Sequence, residues 1–417
     1  MVFMPSRRRF LQSAAVLSGL PLAEPLPPPI AALKSMRGPV HPITTSEREQ
    51  RLERARQLMR ENKIDALFLA GGTSLSYFTG VRWGNSERMF ATVVPVNAKS
   101  FCVCPAFEEG RAREQLNMGP LESADVLTWH EDESPYRLLA AGLQNAKIAA
   151  GTLGMEERTP FVFADSLAQA SPGTRITSAT PVTAGCRMIK SDHELELMKI
   201  ANSATLAVYE AVFHALSPGI TTQQASALIN AAYGQVGFRG EASFEVGAYS
   251  ALPHGSVAPQ VIREGVPVIM DDGCTVEGYQ SDITRTFVLG KASAKMKEVF
   301  DIVHRAQRGA LDAARPGVAC QAVDAAARKV IADAGFGPDY KFFSHRVGHG
   351  IGMDGHEWPY LVRGNTLPLA PGMTFSDEPG VYIPGEFGVR LEDDMYITRD
   401  GAQLFTPQSP DLEHPFG

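Results

Sequence analysis

The chain has 417 residues, 44% hydrophobic and 20% charged, with a formal net charge of −7. That length suits two or three domains, and the composition is that of a packed protein rather than a disordered or collagen-like one. No basic stripe and no basic patch interleaved with aromatics is present, so a nucleic-acid-binding role is set aside.

The N-terminus does not read as fold. Ser6-Arg7-Arg8-Arg9-Phe10-Leu11 resembles the twin-arginine export signal, and the weakly apolar run Leu11 to Ala23 behind it is too short for a membrane span. Residues 1–23 hold three arginines and no acid, so their removal takes the formal charge from −7 to −10. The expected location is therefore exported, periplasmic or secreted. Pro25 to Pro29 reads as a Pro-rich linker, and residues 1–36 are set apart as signal and linker.

Residues 37–182 alternate helical and strand patterns. Glu47 to Asn62 is amphipathic at helical spacing, Asp65 to Gly72, Ala91 to Val96 and Phe101 to Pro105 read as strands, and Leu138 to Gln144 as helix. This alternation predicts an α/β domain. The five cysteines are odd in number and lack the spacing of a disulfide scaffold. Cys102 and Cys104 share one face of a strand and are read as buried free thiols.

A second domain is placed over residues 183–417. Ser191 and Glu194 form a capping box, followed by Leu197, Ala201, Ala204, Val208 and Val212 on one helical face. Thr221 and Gln224 cap the next helix. A repeat runs through this half: Pro218-Gly219 precedes Gly237 by the same 19 residues that separate Pro316-Gly317 from Gly335. Two similar halves facing each other predict a pseudo-twofold site at their junction.

The chemistry-bearing segments lie in this second domain. Met270 to Phe287 (MDDGCTVEGYQSDITRTF) reads as two strands joined by a Gly-containing turn, with Asp271 and Asp282 eleven residues apart. Two carboxylates brought together repel unless protons or cations lie between them. His349 follows in GHGIG, Glu378 in EPGVY and Glu392 in VRLED. Two Asp, two Glu and one His form an oxygen-rich set suited to hard divalent ions, and the imidazole admits Mn²⁺, Co²⁺, Fe²⁺ or Zn²⁺. Four carboxylates balance two such ions.

The ordered series D-x-G, S-D-x-T-R-T, G-H-G-I-G, E-P-G-x-Y and V-R-x-E-D resembles the pita-bread metallopeptidases: methionine aminopeptidase, aminopeptidase P and prolidase. The α/β region is similar to the creatinase-like N-terminal domain of aminopeptidase P and prolidase. The resemblance implies an α/β creatinase-like domain followed by an α+β pita-bread catalytic domain with pseudo-twofold halves. It implies a dinuclear exopeptidase that cuts the Xaa-Pro bond at the N-terminus of peptides or dipeptides, with a metal-bridged hydroxide as nucleophile. Mn²⁺ is placed first among the metals, the partner is a peptide with proline second, and a homodimer is expected by analogy.

The resemblance also distributes roles. Asp271 would bind one ion, Asp282 both, His349 and Glu378 the second, and Glu392 would bridge. Glu378 is the base for the attacking water, His254 the contact to the substrate amide, and His356 the stabiliser of the tetrahedral intermediate. His345 is a weaker match beside the site. Arg390, two residues before Glu392, is expected to share its face on a strand and orient that carboxylate. The chain departs from the family at Tyr249, where relatives often carry Asn, and at Asp272 and Asp377, where apolar residues are usual. The last two are expected to point away from the metals; if they face them the site is more negative and holds its ions more tightly, and alternatively each caps a turn or pairs with a base behind the strand. Rival readings are a lyase or a phosphotriester or amide hydrolase on the same fold, and a non-catalytic peptide-binding module.

Overall fold

The structure is a computed structural model that describes residues 25–417. The twin-arginine-like segment therefore lies outside the described residues. The Pro-rich stretch does not behave as a linker. Pro28–Ala31 forms a short helix, with proline at its first positions, where a missing N–H costs nothing. Its Ile30 is fully buried in the core around helices Asp192–Ala215 and Thr222–Val236. Met36 N donates to Val236 O at 2.9 Å, so this segment is fastened to the second domain.

The N-terminal domain is built on one six-stranded sheet. Its strands are β1 (Ala66–Ala70), β2 (Ala91–Pro95), β3 (Phe101–Pro105), β4 (Asp125–Trp129), β5 (Thr152–Met155) and β6 (Arg175–Ser178), in the order β4-β3-β2-β1-β5-β6. β1 runs antiparallel to β2 and parallel to β5. Every residue of β1, β2 and β3 is buried, because helices cover both faces and leave no polar side to alternate with. Leu52, Ala55 and Met59 of helix Thr45–Glu61 pack with Leu67 and Leu69 on one face. Leu139 and Leu143 of helix Pro135–Asn145 pack with Phe68 on the other. Cys102 and Cys104 both face the first of these clusters as free thiols, and burial pushes them up to about 11 and about 12.

The second domain carries two helix pairs and four small sheets. Its first half contributes β7 (Arg239–Gly240), β8 (Ser243–Val246), β9 (Pro267–Asp271), β10 (Cys274–Val276), β11 (Tyr279–Gln280) and β12 (Arg285–Val288). Its second half contributes β13 (Gly348–Gly350), β14 (Glu357–Leu361), β15 (Thr374–Asp377), β16 (Gly380–Ile383), β17 (Phe387–Arg390), β18 (Asp393–Ile397) and β19 (Ala402–Leu404). The sheets read β12-β9-β8, β11-β10-β7, β14-β13-β15-β18-β19 and β16-β17. Both capping boxes form as expected, Ser191 with Glu194 and Thr221 with Gln224.

The repeat in the sequence is a repeat in the backbone. Gly219 N donates to Ile262 O and Gly317 N to Leu369 O, each at 2.8 Å. Two residues further on, Thr221 bridges Val261 and Ala319 bridges Pro368. Gly219 and Gly317 have φ of 99° and 84°, and Gly237 and Gly335 have φ of 88° and 90°, a region where a side chain is strained and glycine is not. The paired glycines thus mark equivalent turns at the two ends of equivalent helices. The first helix pair packs on β8–β12 and the second on β13–β19, which leaves the strand ends of both halves facing one cleft.

Candidate metal centre

The Asp271–Asp282 segment is more elaborate than a single hairpin. The outer strands do pair, Met270 of β9 opposite Arg285 of β12. Between them, β10 and β11 form a separate hairpin in another sheet, turning at Glu277 and Gly278 with φ of 50° and 93°. The chain leaves β9 at Asp272, whose φ is 117°. Asp271 therefore ends a strand, while Asp282 lies on the return path outside any strand. The base of the inner hairpin is pinned to helix Asp192–Ala215, where Thr205 Oγ1 lies 2.9 Å from Ser281 Oγ. Asp282 N donates to Asp394 Oδ2 at 3.0 Å, which fixes the backbone of the second aspartate.

The other three residues arrive from the second half. His349 lies on β13, Glu378 between β15 and β16, and Glu392 between β17 and β18. His349 Nδ1 is 3.1 Å from Gly350 O, which places the proton there and leaves the Nε2 lone pair free. That nitrogen sits 3.4 Å from Glu378 Oε1 and 3.9 Å from Asp282 Oδ2. Ser376 Oγ accepts from His349 N at 3.1 Å and lies 3.3 Å from Glu378 Oε1, so one hydroxyl spans both residues.

Two groups of potential ligands share Glu392, and a third joins Asp282, His349 and His356. Asp271, Asp282 and Glu392 offer atoms within 4.8 Å of one another, and so do His349, Glu378 and Glu392. Glu392 belongs to both groups, which is the arrangement of two ion positions sharing one carboxylate. The electrostatics call for protons or cations between these groups. Burial, reinforced by neighbouring carboxylates, pushes Asp282 and Glu392 well above the ordinary carboxylate range and Glu378 up to about 7. Asp271 is also buried, but Arg390 and Thr284 more than offset this and hold it below its usual value. Four carboxylates match the charge of two divalent ions, and with the His349 nitrogen they offer a donor set that fits such a pair.

The histidines of the sequence analysis gather at the same cleft, which His254, His345, His349 and His356 all line. The His356 ring stacks on His349 at 3.6 Å between centroids. His345 Nε2 lies 2.7 Å from Tyr382 Oη and its Nδ1 3.6 Å from Glu378 Oε2. Burial, then the charge of Arg390, lowers His345 to about 3, which favours the neutral imidazole.

Arg390 does not do what its position predicted. Strand β17 ends at Arg390, so Glu392 does not share its face. The guanidinium instead pairs with Asp271, and Nε donates to Thr284 Oγ1 at 3.1 Å. Its Nη1 reaches Pro253 O at 2.9 Å, bracing the turn that carries His254, and Tyr382 Oη at 3.1 Å. Glu392 is held by Thr284, whose Oγ1 lies 2.6 Å from Glu392 Oε2 and 2.5 Å from Asp271 Oδ1. Thr284, Tyr382 and Asp394 are thus supporting residues that the sequence analysis gave no role. Thr284 and Tyr382 sit inside the motifs above, at the first Thr of S-D-x-T-R-T and the Tyr of E-P-G-x-Y, and Asp394 directly follows V-R-x-E-D, which was the available signal.

The three unusual positions separate. Asp272 lines the cleft and its Oδ2 caps Ser243 N at 3.0 Å, so it does not point away. Asp377 does point away, opposite Asp393 across β15 and β18, yet among the described residues no base pairs with it and neither carboxylate oxygen has a hydrogen-bond partner. Burial, then Asp393, pushes it well above the ordinary range. Tyr249 is 38% exposed and is not among the cleft-lining residues.

Comparison with known proteins assigns the family. Residues 196–399 match metallopeptidase family M24, and residues 51–189 match the creatinase/prolidase N-terminal domain. The probable dipeptidase PepE of Mycobacterium tuberculosis is 37% identical over 358 residues, covering 85% of this chain and 92% of that protein. The chain belongs to metallopeptidase family M24. The M24 chain is also 31% identical to the Xaa-Pro dipeptidase of Lactobacillus delbrueckii subsp. lactis, over 87% of its own length and 98% of that enzyme. The crystal structure of dipeptidase PepE from Mycobacterium ulcerans superimposes with a TM-score of 0.83 at 34% identity, covering 89% of this chain and 99% of that one. The fold expected from the motifs, a creatinase-like domain followed by a pita-bread domain, is the fold found, and the protein is a metallopeptidase of a family that works with divalent metals.

A stability prediction follows from the crowded carboxylates of the M24 centre. A carboxyl whose pKa is raised by folding binds its proton more tightly in the folded chain, so stability falls as pH rises through the raised value. Glu378, raised from 4.5 to about 7, and Asp394, raised from 3.8 to about 8, spread that loss from about pH 4 to pH 8, with Asp394 still contributing between pH 7 and 8 and Asp282 and Glu392 acting in the same direction. His345 and His349, both lowered to about 3, act oppositely, but only below their ordinary value of 6.5. Metal-stripped protein is expected to lose about 1–2 kcal/mol of stability from pH 7 to 8. Protein reloaded with Mn²⁺ should show a much smaller loss. Denaturant titration at both pH values checks this, and equal losses would contradict it.

Proposed function

We propose that this M24 chain is an Xaa-Pro exopeptidase that uses two divalent ions, Mn²⁺ first, and takes dipeptides in preference to longer peptides. The observation that carries the metal count is the pair of ligand groups joined at Glu392. The dipeptide preference is supported by the relatives named dipeptidase or Xaa-Pro dipeptidase, which match across nearly their whole length. Asp271, Asp282 and Glu392 would hold one ion, and His349, Glu378 and Glu392 the other. When bound, such a pair supplies a water activated to hydroxide near neutral pH and polarises the scissile carbonyl.

The chain's own residues supply positioning and proton handling. Glu378, at the cleft and braced by Ser376, is placed to take a proton from the attacking water. His356, lying against His349, is placed to donate toward oxygen charge as it develops, and His254 to contact the substrate amide. Thr284 links Arg390 to Asp271 and Glu392, and Tyr382 links Arg390 to His345. We also propose a homodimer and twin-arginine export. Lysine at Arg7 and Arg8 together would then leave the protein inside the cell.

The test is hydrolysis of Ala-Pro, Ala-Pro-Ala and Ala-Ala by metal-stripped and Mn²⁺-reloaded protein. Mn²⁺-dependent cleavage of Ala-Pro, slower cleavage of Ala-Pro-Ala and none of Ala-Ala is the expected pattern. Faster cleavage of the tripeptide would reassign it as an aminopeptidase. Cleavage of Ala-Ala at the same rate would overturn the proline requirement.

A further inference from the structure

The loop that carries His356 is held from outside its own domain. His356 sits between β13 and β14, in a segment with no helix or strand of its own until Glu357. Three residues of the N-terminal domain or its last helix reach across to it. Arg158 Nη2 donates to His356 O at 3.1 Å, and its Nη1 lies 3.5 Å from Asp354 Oδ2. Glu157 accepts from Trp358 Nε1 at 3.2 Å. Arg187 Nη2 pairs with Asp354 Oδ2 at 2.7 Å and also with Glu357. The residues two before and two after His356 are thus each tied to the N-terminal domain, as is its own carbonyl.

The imidazole has little else to fix it. It stacks on His349, and Arg346 Nη2 reaches its Nδ1 only at 3.5 Å. A ring stacked on a metal-ligating histidine can slide in its plane unless the backbone beneath it is fixed. Side chains that hold a catalytic group through its backbone act on orientation, and small displacements of such groups are costly to rate.

We infer that Glu157 and Arg158 form a positioning clamp for His356, so that the N-terminal domain sets the geometry of the catalytic cleft in its own chain. This rests on the reading of His356 as a catalytic group. Arg158 is 64% exposed at its side chain, and an exposed ion pair adds little to stability. Removing it should therefore loosen the loop without unfolding the protein. Arg187 is the buried member of the set, and its removal risks the fold, so the exposed pair gives the cleaner variants.

The experiment compares Arg158→Ala, Glu157→Gln, His356→Ala and the double variant Arg158→Ala/His356→Ala, all loaded with Mn²⁺. Arg88→Ala, an exposed arginine of the same domain paired with Glu131, is the control. Arg158→Ala should lower kcat for Ala-Pro by about tenfold, with KM and Tm unchanged. Arg158→Lys should recover part of the loss. In the His356→Ala background, Arg158→Ala should cost nothing more, because the group it positions is gone. An additional tenfold loss there would show that Arg158 acts elsewhere and would overturn the inference.

Backbone hydrogen exchange of residues 352–358, followed by mass spectrometry, gives a readout independent of substrate. It should rise in Arg158→Ala and not in Arg88→Ala, and unchanged exchange would overturn the clamp whatever the protein cleaves. If exchange rises but His356→Ala keeps full kcat, the reading of His356 fails, and the positioning role fails with it.

Discussion

Glu378→Gln is expected to lower kcat for Ala-Pro about 10³-fold at saturating Mn²⁺, the loss typical of a removed general base. Glu378 is the one residue that both faces the His349 nitrogen, at 3.4 Å, and lies beside His345, at 3.6 Å, within the cleft. Glutamine keeps its volume and one oxygen but can neither take a proton nor carry charge. Metal affinity should fall as well, by about 10–100-fold, so the assay needs excess metal. The fold should not suffer. In the stripped protein the substitution removes one of four crowded carboxylates, so Glu378→Gln should be at least as stable as the parent at pH 8. A variant that keeps kcat within tenfold would remove Glu378 from the chemistry.

Glu357→Ala is expected to have the largest effect on stability. Its carboxylate is 7% exposed and takes Lys190 Nζ at 2.6 Å and Arg187 Nη2 at 2.5 Å. Burial raises its pKa, but Lys190 and Arg187 more than reverse that and keep it charged. The Lys190 and Arg187 side chains are themselves 2% and 11% exposed, so truncating Glu357 leaves buried cations short of a partner. Breaking one side of such a group costs about 3–5 kcal/mol, more than the pair adds over an apolar replacement. Chemical denaturation checks the figure. Because this group ties the segment between the domains to β14, kcat should also drop through the His356 loop. A loss under 1 kcal/mol would show that the network is solvated.

How much of this was legible in the sequence depends on what each feature rests on. The five candidate ligand positions were legible as a set because carboxylate and imidazole chemistry dictates residue type, and each sits in a short glycine- or proline-marked motif. The twin helix pairs were legible because paired glycines at positive φ recur at a fixed interval. The path between Asp271 and Asp282 was not. Asp272 adopts a φ of 117° where glycine would be the expected signal, and the turn that sends β10 into another sheet is set by pairing with β7. Arg390 was misassigned for a related reason. Period-two reasoning holds only while the strand continues, and β17 stops at Arg390. The Pro25–Pro29 stretch was misread because proline marks a helix start as well as a linker, and the apolar Ile30 decides between them. The bonds from Glu157 and Arg158 to residues 356 and 358 leave no trace in local pattern, since they join exposed polar side chains to a loop some 200 residues away.

The central claim is that two ion positions share Glu392. Equilibrium dialysis of metal-stripped protein against Mn²⁺ tests it most directly, with metal counted per chain in the parent, His349→Ala and Glu392→Ala. The account predicts two ions in the parent, one in His349→Ala, where Asp271, Asp282 and Glu392 remain, and neither held tightly in Glu392→Ala. A parent that binds one ion or none, or a Glu392→Ala variant that keeps two, would contradict it.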